Sequence, residues 1–313
     1  MTIARPPALC PYGNDGAPHT GRVLGSFARP GVAPARRANA VGSMIDAHFH
    51  IWQLARADYG WLTPALGSIY RDVALDHWRA VSAPCGVRGG ILVQAAPTEA
   101  ETRFLLQQAG GAADVLGVVG WVDMLAADAP ARIAALALHP KRKGLRPMLQ
   151  DIADPDWILQ NALEAAFAAM LAHDLVLDAL VKPVHLPRLV HLAQRHPALR
   201  IVIDHAAKPD IAHGQWQDWA TGLEQLARLP NVFCKLSGLW TEAGEGAAVS
   251  VLEPYAGHAV ACFGPHKLLW GSDWPVLEQA GAYAAWYQAA RALVAPQDRS
   301  AVFDRVARQV YRV

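Results

Sequence analysis

The sequence predicts an α/β chain folded as a (β/α)8 barrel, and three observations point there. From Met44 onward, short β-branched or apolar runs alternate with Ala/Leu-rich stretches of helical spacing. The runs between Met44 and Val313 number eight, the strand count of a barrel of this length. They show little apolar/polar alternation, as parallel strands covered by helices do.

In order, the strand runs are Ile45–Trp52, Gly90–Gln94, Leu116–Val122, Gly144–Leu149, Leu175–Val181, Arg200–Asp204, Val232–Leu236 and Leu268–Gly271. Between them, Thr98–Gly110, Ala129–Leu138, Pro155–His173, Leu186–His196, Trp216–Leu229 and Val251–Phe263 carry apolar residues at helical spacing. Ala165-Ala-Phe-Ala-Ala-Met170 suits a helix because Ala has the best intrinsic propensity. Asp154 followed by Pro155 predicts a capped helix start with Pro in the first turn. The competing architecture, an open doubly wound sheet, usually places a Gly-rich phosphate turn after its first strand. Here Phe49-His-Ile-Trp52 follows, with no glycine before Gly60.

Composition narrows the function classes. With 28 basic and 27 acidic side chains, the formal net charge of +1 provides no attraction for nucleic acid. At 53% hydrophobic the chain is too apolar for a disordered polymer, yet no run approaches the roughly 20 residues of a membrane span. Cys10, Cys85, Cys234 and Cys262 lie far apart, which argues for reduced thiols rather than a zinc ribbon or disulfide scaffold. Residues 1–43 hold six prolines, six glycines and five arginines against the single acid Asp15. They are expected to form a flexible extension, without a secretory apolar segment, ahead of a barrel domain over 44–313; Met44 is a candidate translation start. A cytoplasmic location is expected.

In such barrels the C-terminal ends of strands share one mouth. Reading down those ends gives His48, His50, Arg146, Asp178, His205, Lys235 and Asp273. His48 and His50 are two apart on a strand, so they point the same way; they suit one divalent metal, Zn2+ above all, or a hydrogen-bonded pair. His205 ends a buried strand as a third ligand, a donor to a substrate oxygen, or a packed core residue. Asp273, in Gly271-Ser-Asp-Trp-Pro275, is a rim carboxylate able to take a proton from water, or a turn residue. Arg146 and Lys235 suit an anionic substrate or oxyanion, or pair with a neighbour such as Asp178. Asp46 is expected to be structural, Asp204 to face the helices, His185 to approach the rim, and the remaining histidines of the barrel to lie at the surface.

These residues sit in seven blocks: Ile45-Asp-Ala-His-Phe-His-Ile-Trp52, Val93-Gln-Ala-Ala-Pro-Thr-Glu-Ala-Glu-Thr102, Gly120-Trp-Val-Asp123, Gly144-Leu-Arg-Pro-Met-Leu-Gln150, Val202-Ile-Asp-His-Ala-Ala-Lys-Pro209, Cys234-Lys-Leu-Ser-Gly-Leu239 and Trp270-Gly-Ser-Asp-Trp-Pro275. From Met44 onward the chain resembles the amidohydrolase superfamily, and within it the branch of sugar-lactone and 2-pyrone-4,6-dicarboxylate lactone hydrolases. Binuclear members of the superfamily place a lysine at the end of strand 4 and a histidine at the end of strand 5. This chain has Arg146 and Asp178 there, so the resemblance implies one divalent metal, Zn2+, held by His48, His50, His205 and Asp273, which lactonases of this branch can also dispense with. It further implies a small-molecule lactone as substrate and Asp273 as general base. His48, His50 and His205 would position water with or without the metal. Arg146 and Lys235 would stabilise the oxyanion or bind substrate, and Asp178 and Gln94 would bind hydroxyls. The superfamily also implies two alternatives: a metal-dependent decarboxylase of an aromatic acid, and a sugar-acid binding protein without catalysis.

Overall fold

Val-, Ile- and Leu-rich runs form the strands and the Ala/Leu stretches form the helices around them. The computed structural model describes residues 44–244 and 246–313; the extension expected over 1–43 lies outside the described residues. The strands are β1 (Met44–Phe49), β2 (Val87–Val93), β3 (Val115–Gly120), β4 (Arg142–Leu145), β5 (Val176–Ala179), β6 (Ile201–Ile203), β7 (Val232–Leu236) and β8 (Leu268–Trp270). They form one sheet in chain order with every neighbouring pair parallel. The helices are α1 (Leu75–Ser82), α2 (Glu99–Gly110), α3 (Ala129–Ala137), α4 (Glu164–Ala172), α5 (Leu186–Arg195), α6 (Gln217–Ala227), α7 (Leu239–Glu242), α8 (Glu253–Phe263), α9 (Tyr283–Leu293) and α10 (Val306–Tyr311). None of them is long and apolar enough to cross a membrane.

The sheet curls back on itself just beyond the strand ends. Asp273 N donates to His48 O and His50 N donates to Trp274 O, each at 2.8 Å. Below this seam the buried Asp46 carboxylate accepts Ser272 N at 2.8 Å and Ser272 Oγ at 2.7 Å. Trp78 Nε1 of α1 and Tyr283 OH of α9 donate to it as well, at 3.1 and 2.9 Å. Asp46 is structural, as expected.

Strand periodicity sorts the apolar side chains into two layers. Ile45, Ala47, Ile91, Val93, Val119, Val176, Val202 and Leu269 fill the barrel interior with Val306, Val310 and Tyr311 of α10. Their strand neighbours Leu92, Val118, Leu177, Ile203 and Trp270 pack outward beneath the helices. In β1 the register against β2 shifts between Asp46 and Phe49. Below that irregularity Ile45 and Ala47 face the interior; above it His48 and His50 do, a re-aiming typical of bulges near functional sites.

One helix differs from expectation. Pro155–His173 is not continuous: Asp156 N bonds Asp154 Oδ1 at 2.9 Å in a local turn, and Gln160 is extended at φ −63°, ψ 134°. The Asp side chain satisfies a turn rather than a helix cap, and α4 starts only at Glu164. Helices α1, α7, α9 and α10 fall outside the expected helical stretches. By contrast, Thr98 caps α2 through Oγ1, 3.0 Å from Glu101 N.

Tyr311 links the barrel floor to the interior, its hydroxyl donating to Asp178 Oδ2 at 2.8 Å and Oδ1 at 3.0 Å. Tyr311→Phe is expected to destabilise the fold by about 1.5–3 kcal/mol, the usual worth of a hydrogen bond to a charged group. Thermal melts would read this as a lower Tm; an unchanged Tm would mean that the floor does not depend on this bond.

Candidate active site

Four side chains at or just beyond the C-terminal ends of β1, β6 and β8 meet at the barrel mouth around Asp273 Oδ1. His50 Nε2 lies 3.3 Å from it, His48 Nε2 3.6 Å and His205 Nε2 3.7 Å. The two β1 imidazoles face each other, Nε2 to Nε2, at 3.2 Å. His50 Nδ1 lies 2.7 Å from Val93 O. A carbonyl accepts only, so Nδ1 carries the proton and Nε2 presents a lone pair to the site.

Strained backbone aims two of these groups. After β6, His205, Ala206, Ala207 and Lys208 all adopt left-handed φ, at 54°, 47°, 64° and 49°, and Asp273 does so at 60°. Non-glycine residues there cost about 1–2 kcal/mol each and persist only where surroundings over-determine them. Trp219 Nε1 holds Ala206 O at 2.7 Å, Lys208 N closes on His205 O at 2.9 Å, and Ser237 Oγ holds His205 Nδ1 at 2.9 Å. This turn overturns the expectation for Asp204, which faces inward and not toward the helices. Left-handed residues directly after β6 end the alternation, so Asp204 and His205 both serve the interior.

Beneath the imidazoles lies a fully buried ionic layer. Lys235 Nζ contacts Asp178 Oδ2 at 2.5 Å, Asp204 Oδ1 at 2.9 Å and His48 Nδ1 at 3.0 Å. Arg146 Nη1 reaches Asp204 Oδ2 at 3.2 Å, and Nη2 donates to Gln94 O. Burial opposes charge on Asp204, yet Lys235, His48 and Arg146 hold its carboxyl well below the usual range. Burial likewise opposes charge on Asp273, and His205, His50 and His48 together outweigh it, so its carboxyl too is depressed. Burial lowers the His205 imidazole to about 4, and burial together with Lys235 lowers His48 well below its usual value. At neutral pH the site therefore holds an ionised Asp273 beside neutral His48 and His205.

A family model described as amidohydrolase matches residues 45–313. This chain belongs to the amidohydrolase family. The L-fucono-1,5-lactonase of Burkholderia ambifaria is 49% identical over 276 residues, which span 86% of this chain and 95% of that protein. The L-fucono-1,5-lactonase of Burkholderia multivorans is 38% identical over 250 residues, 76% and 84% of the two chains. A crystal structure of an amidohydrolase from Burkholderia multivorans with bound zinc aligns at a TM-score of 0.82 and 34% identity, covering 87% of this chain and 99% of that one.

The donor set of this amidohydrolase fits a metal ion. Zinc bonds of about 2.0–2.1 Å to nitrogen and oxygen imply tetrahedral edges of about 3.3–3.4 Å. The three separations among His48 Nε2, His50 Nε2 and Asp273 Oδ1 are 3.2, 3.3 and 3.6 Å. His50 has its supporting carbonyl in Val93, the kind of partner that orients a metal-bound imidazole, while His48 Nδ1 lies 3.0 Å from Lys235 Nζ and 3.4 Å from Asp204 Oδ1.

A cavity of about 380 Å3 opens above, and His50, Arg146, His205 and Asp273 reach it. Lys235, Asp178 and Gln94, expected to touch substrate, do not. Lys235 and Asp178 are fully buried below it, and Gln94 is buried with its Nε2 2.8 Å from Arg146 O. The cavity wall instead uses Trp61, Met148, Gln150, Lys208 and Glu242. None of the five is among the expected site residues, because each lies beyond a strand end: Glu242 closes α7 and the others sit on connecting segments. His185 does not reach the rim: it is buried against its own turn, with Nδ1 3.1 Å from Lys182 N.

Gly238 is held at φ +63° with its Cα against His205; a Cβ there would fall 2.3 Å from His205 Nδ1. Gly214, at φ +64°, has nothing within 4 Å of such a Cβ. Gly214→Ala is expected to cost about 1 kcal/mol, the conformational penalty alone, while Gly238→Ala costs clearly more because the imidazole must move. Equal Tm losses for the two variants would refute this close approach.

Proposed function

We propose that this amidohydrolase opens the ring of a sugar-acid lactone, of the L-fucono-1,5-lactone kind, by attack of water. The convergence of three imidazoles on the Asp273 carboxylate at the floor of a sugar-sized cavity carries the reading. The names of the two Burkholderia relatives support the substrate class.

His48, His50 and Asp273 would hold one divalent metal, zinc in this proposal. Bound there, it supplies Lewis acidity toward the lactone carbonyl. Asp273 takes a proton from water as the water oxygen attacks the carbonyl carbon, and returns it to the ring oxygen as the C–O bond breaks. His205, neutral at working pH, turns Nε2–H toward the carbonyl oxygen when Ser237 donates to its Nδ1. Arg146 stands at the cavity wall with no partner for its Nε among the described residues, available to the developing oxyanion. Lys235 and Asp178 position His48 and Asp204 from below rather than binding substrate.

A pH-indicator screen of L-fucono-1,5-lactone, other aldonolactones and pyrone lactones, run with and without chelator, tests the proposal. One proton and one hydroxy acid are expected per turnover, and release of CO2 instead would overturn it. Asp273→Asn is expected to lower kcat by about 100- to 10,000-fold, the range typical of a lost general base, while the chain stays folded by circular dichroism. Near-normal turnover in that variant would remove Asp273 from the mechanism.

A further inference from the structure

We propose that Glu224 of α6 with His258 and Cys262 of α8 forms a peripheral zinc site on the helical shell, separate from the barrel mouth. His258 and Cys262 are four apart on one helix, so their side chains share a face. Cys262 Sγ lies 3.4 Å from His258 Nε2, and that nitrogen lies 3.8 Å from Glu224 Oε1. All three donor atoms fall within 4.8 Å of one another. For zinc bonds of about 2.3 Å to sulfur and about 2.0–2.1 Å to nitrogen and oxygen, the tetrahedral edges are about 3.5 and 3.3 Å. The sulfur–nitrogen pair already has that spacing, and the half-exposed Glu224 carboxylate must close its 3.8 Å separation from the imidazole by about half an ångström.

The central imidazole is pre-set. Its ring centroid lies 5.2 Å from that of Trp216 and 5.3 Å from that of Trp219, which pack it on α6. Its Nε2 also lies 3.3 Å from Ala220 O, a long bond that a metal would replace once the ring proton sits on Nδ1. The three side chains border a hollow of about 400 Å3, which leaves the fourth coordination position to water. Exposed Arg228 borders it too, and its charge is a cost that the ligands must overcome. Thiolate, imidazole and carboxylate together select zinc over magnesium or calcium. Binding sends the Cys262 proton to solvent, and thiolate plus carboxylate neutralise the bound dication.

Cobalt separates this site from the mouth, whose candidate ligands are imidazoles and a carboxylate without a thiolate. The full-length chain is stripped with chelator and titrated with Co2+ while the near-ultraviolet thiolate-to-cobalt charge-transfer band is followed. The band is expected to saturate at about one equivalent per chain and to bleach when Zn2+ is added. Cys262→Ser should lack it, and His258→Ala should need about tenfold or more Co2+ to produce it, both melting like the wild type without metal. No band in the wild type, or a band that survives Cys262→Ser, overturns the site.

Discussion

The seam between β1 and the segment after β8 is the constraint on which the rest depends. There the barrel closes through two backbone hydrogen bonds, Asp273 N to His48 O and His50 N to Trp274 O. Three of the four residues that donate or accept in them belong to the candidate site. Closing the fold and assembling the site are one event. Asp46 fastens the layer below by accepting from Ser272, Trp78 and Tyr283, groups that belong to β8's end, α1 and α9. A buried carboxylate without those donors would be costly, so the helices and the seam hold each other in place.

Under the mouth, two acids and two cations form a closed set: Asp178 and Asp204 with Lys235 and Arg146. Buried pairs of this kind contribute little net stability because desolvation offsets their attraction, but losing one member leaves an uncompensated charge. Their value is geometric. Lys235 and Asp204 grip His48 Nδ1 while Arg146 Nη1 lies 3.4 Å from its Nε2. Tyr311 extends the same set to the C-terminal helix, so the floor of the barrel and the orientation of a mouth imidazole are mechanically connected.

Much of this was legible in the sequence. Eight apolar runs spaced by helical stretches identified the barrel, and period two in β1 placed His48 and His50 on one side. The mouth set His48, His50, His205 and Asp273 follows from the rule that strand ends converge. Asp204 did not follow, because four left-handed non-glycine residues after β6 are invisible to alternation. Lys235 and Asp178 were assigned to the right interior at the wrong depth. Depth depends on how far each strand rises relative to its neighbours, which a single run does not reveal. The break within 155–173 turned on one Asp side chain choosing a turn over a cap.

The sequence alone determined the strand count, the parallel class and the residue types brought to the mouth, because periodicity and propensity are local and survive in a single chain read end to end. Tertiary structure alone decided the register irregularity that turns His48 inward, the strained turn that recruits Asp204, and the division between residues that reach the cavity and those that support it from below. Each of these is set by packing between segments distant in sequence, where burial and ion pairing outweigh the conformational preference of any one residue.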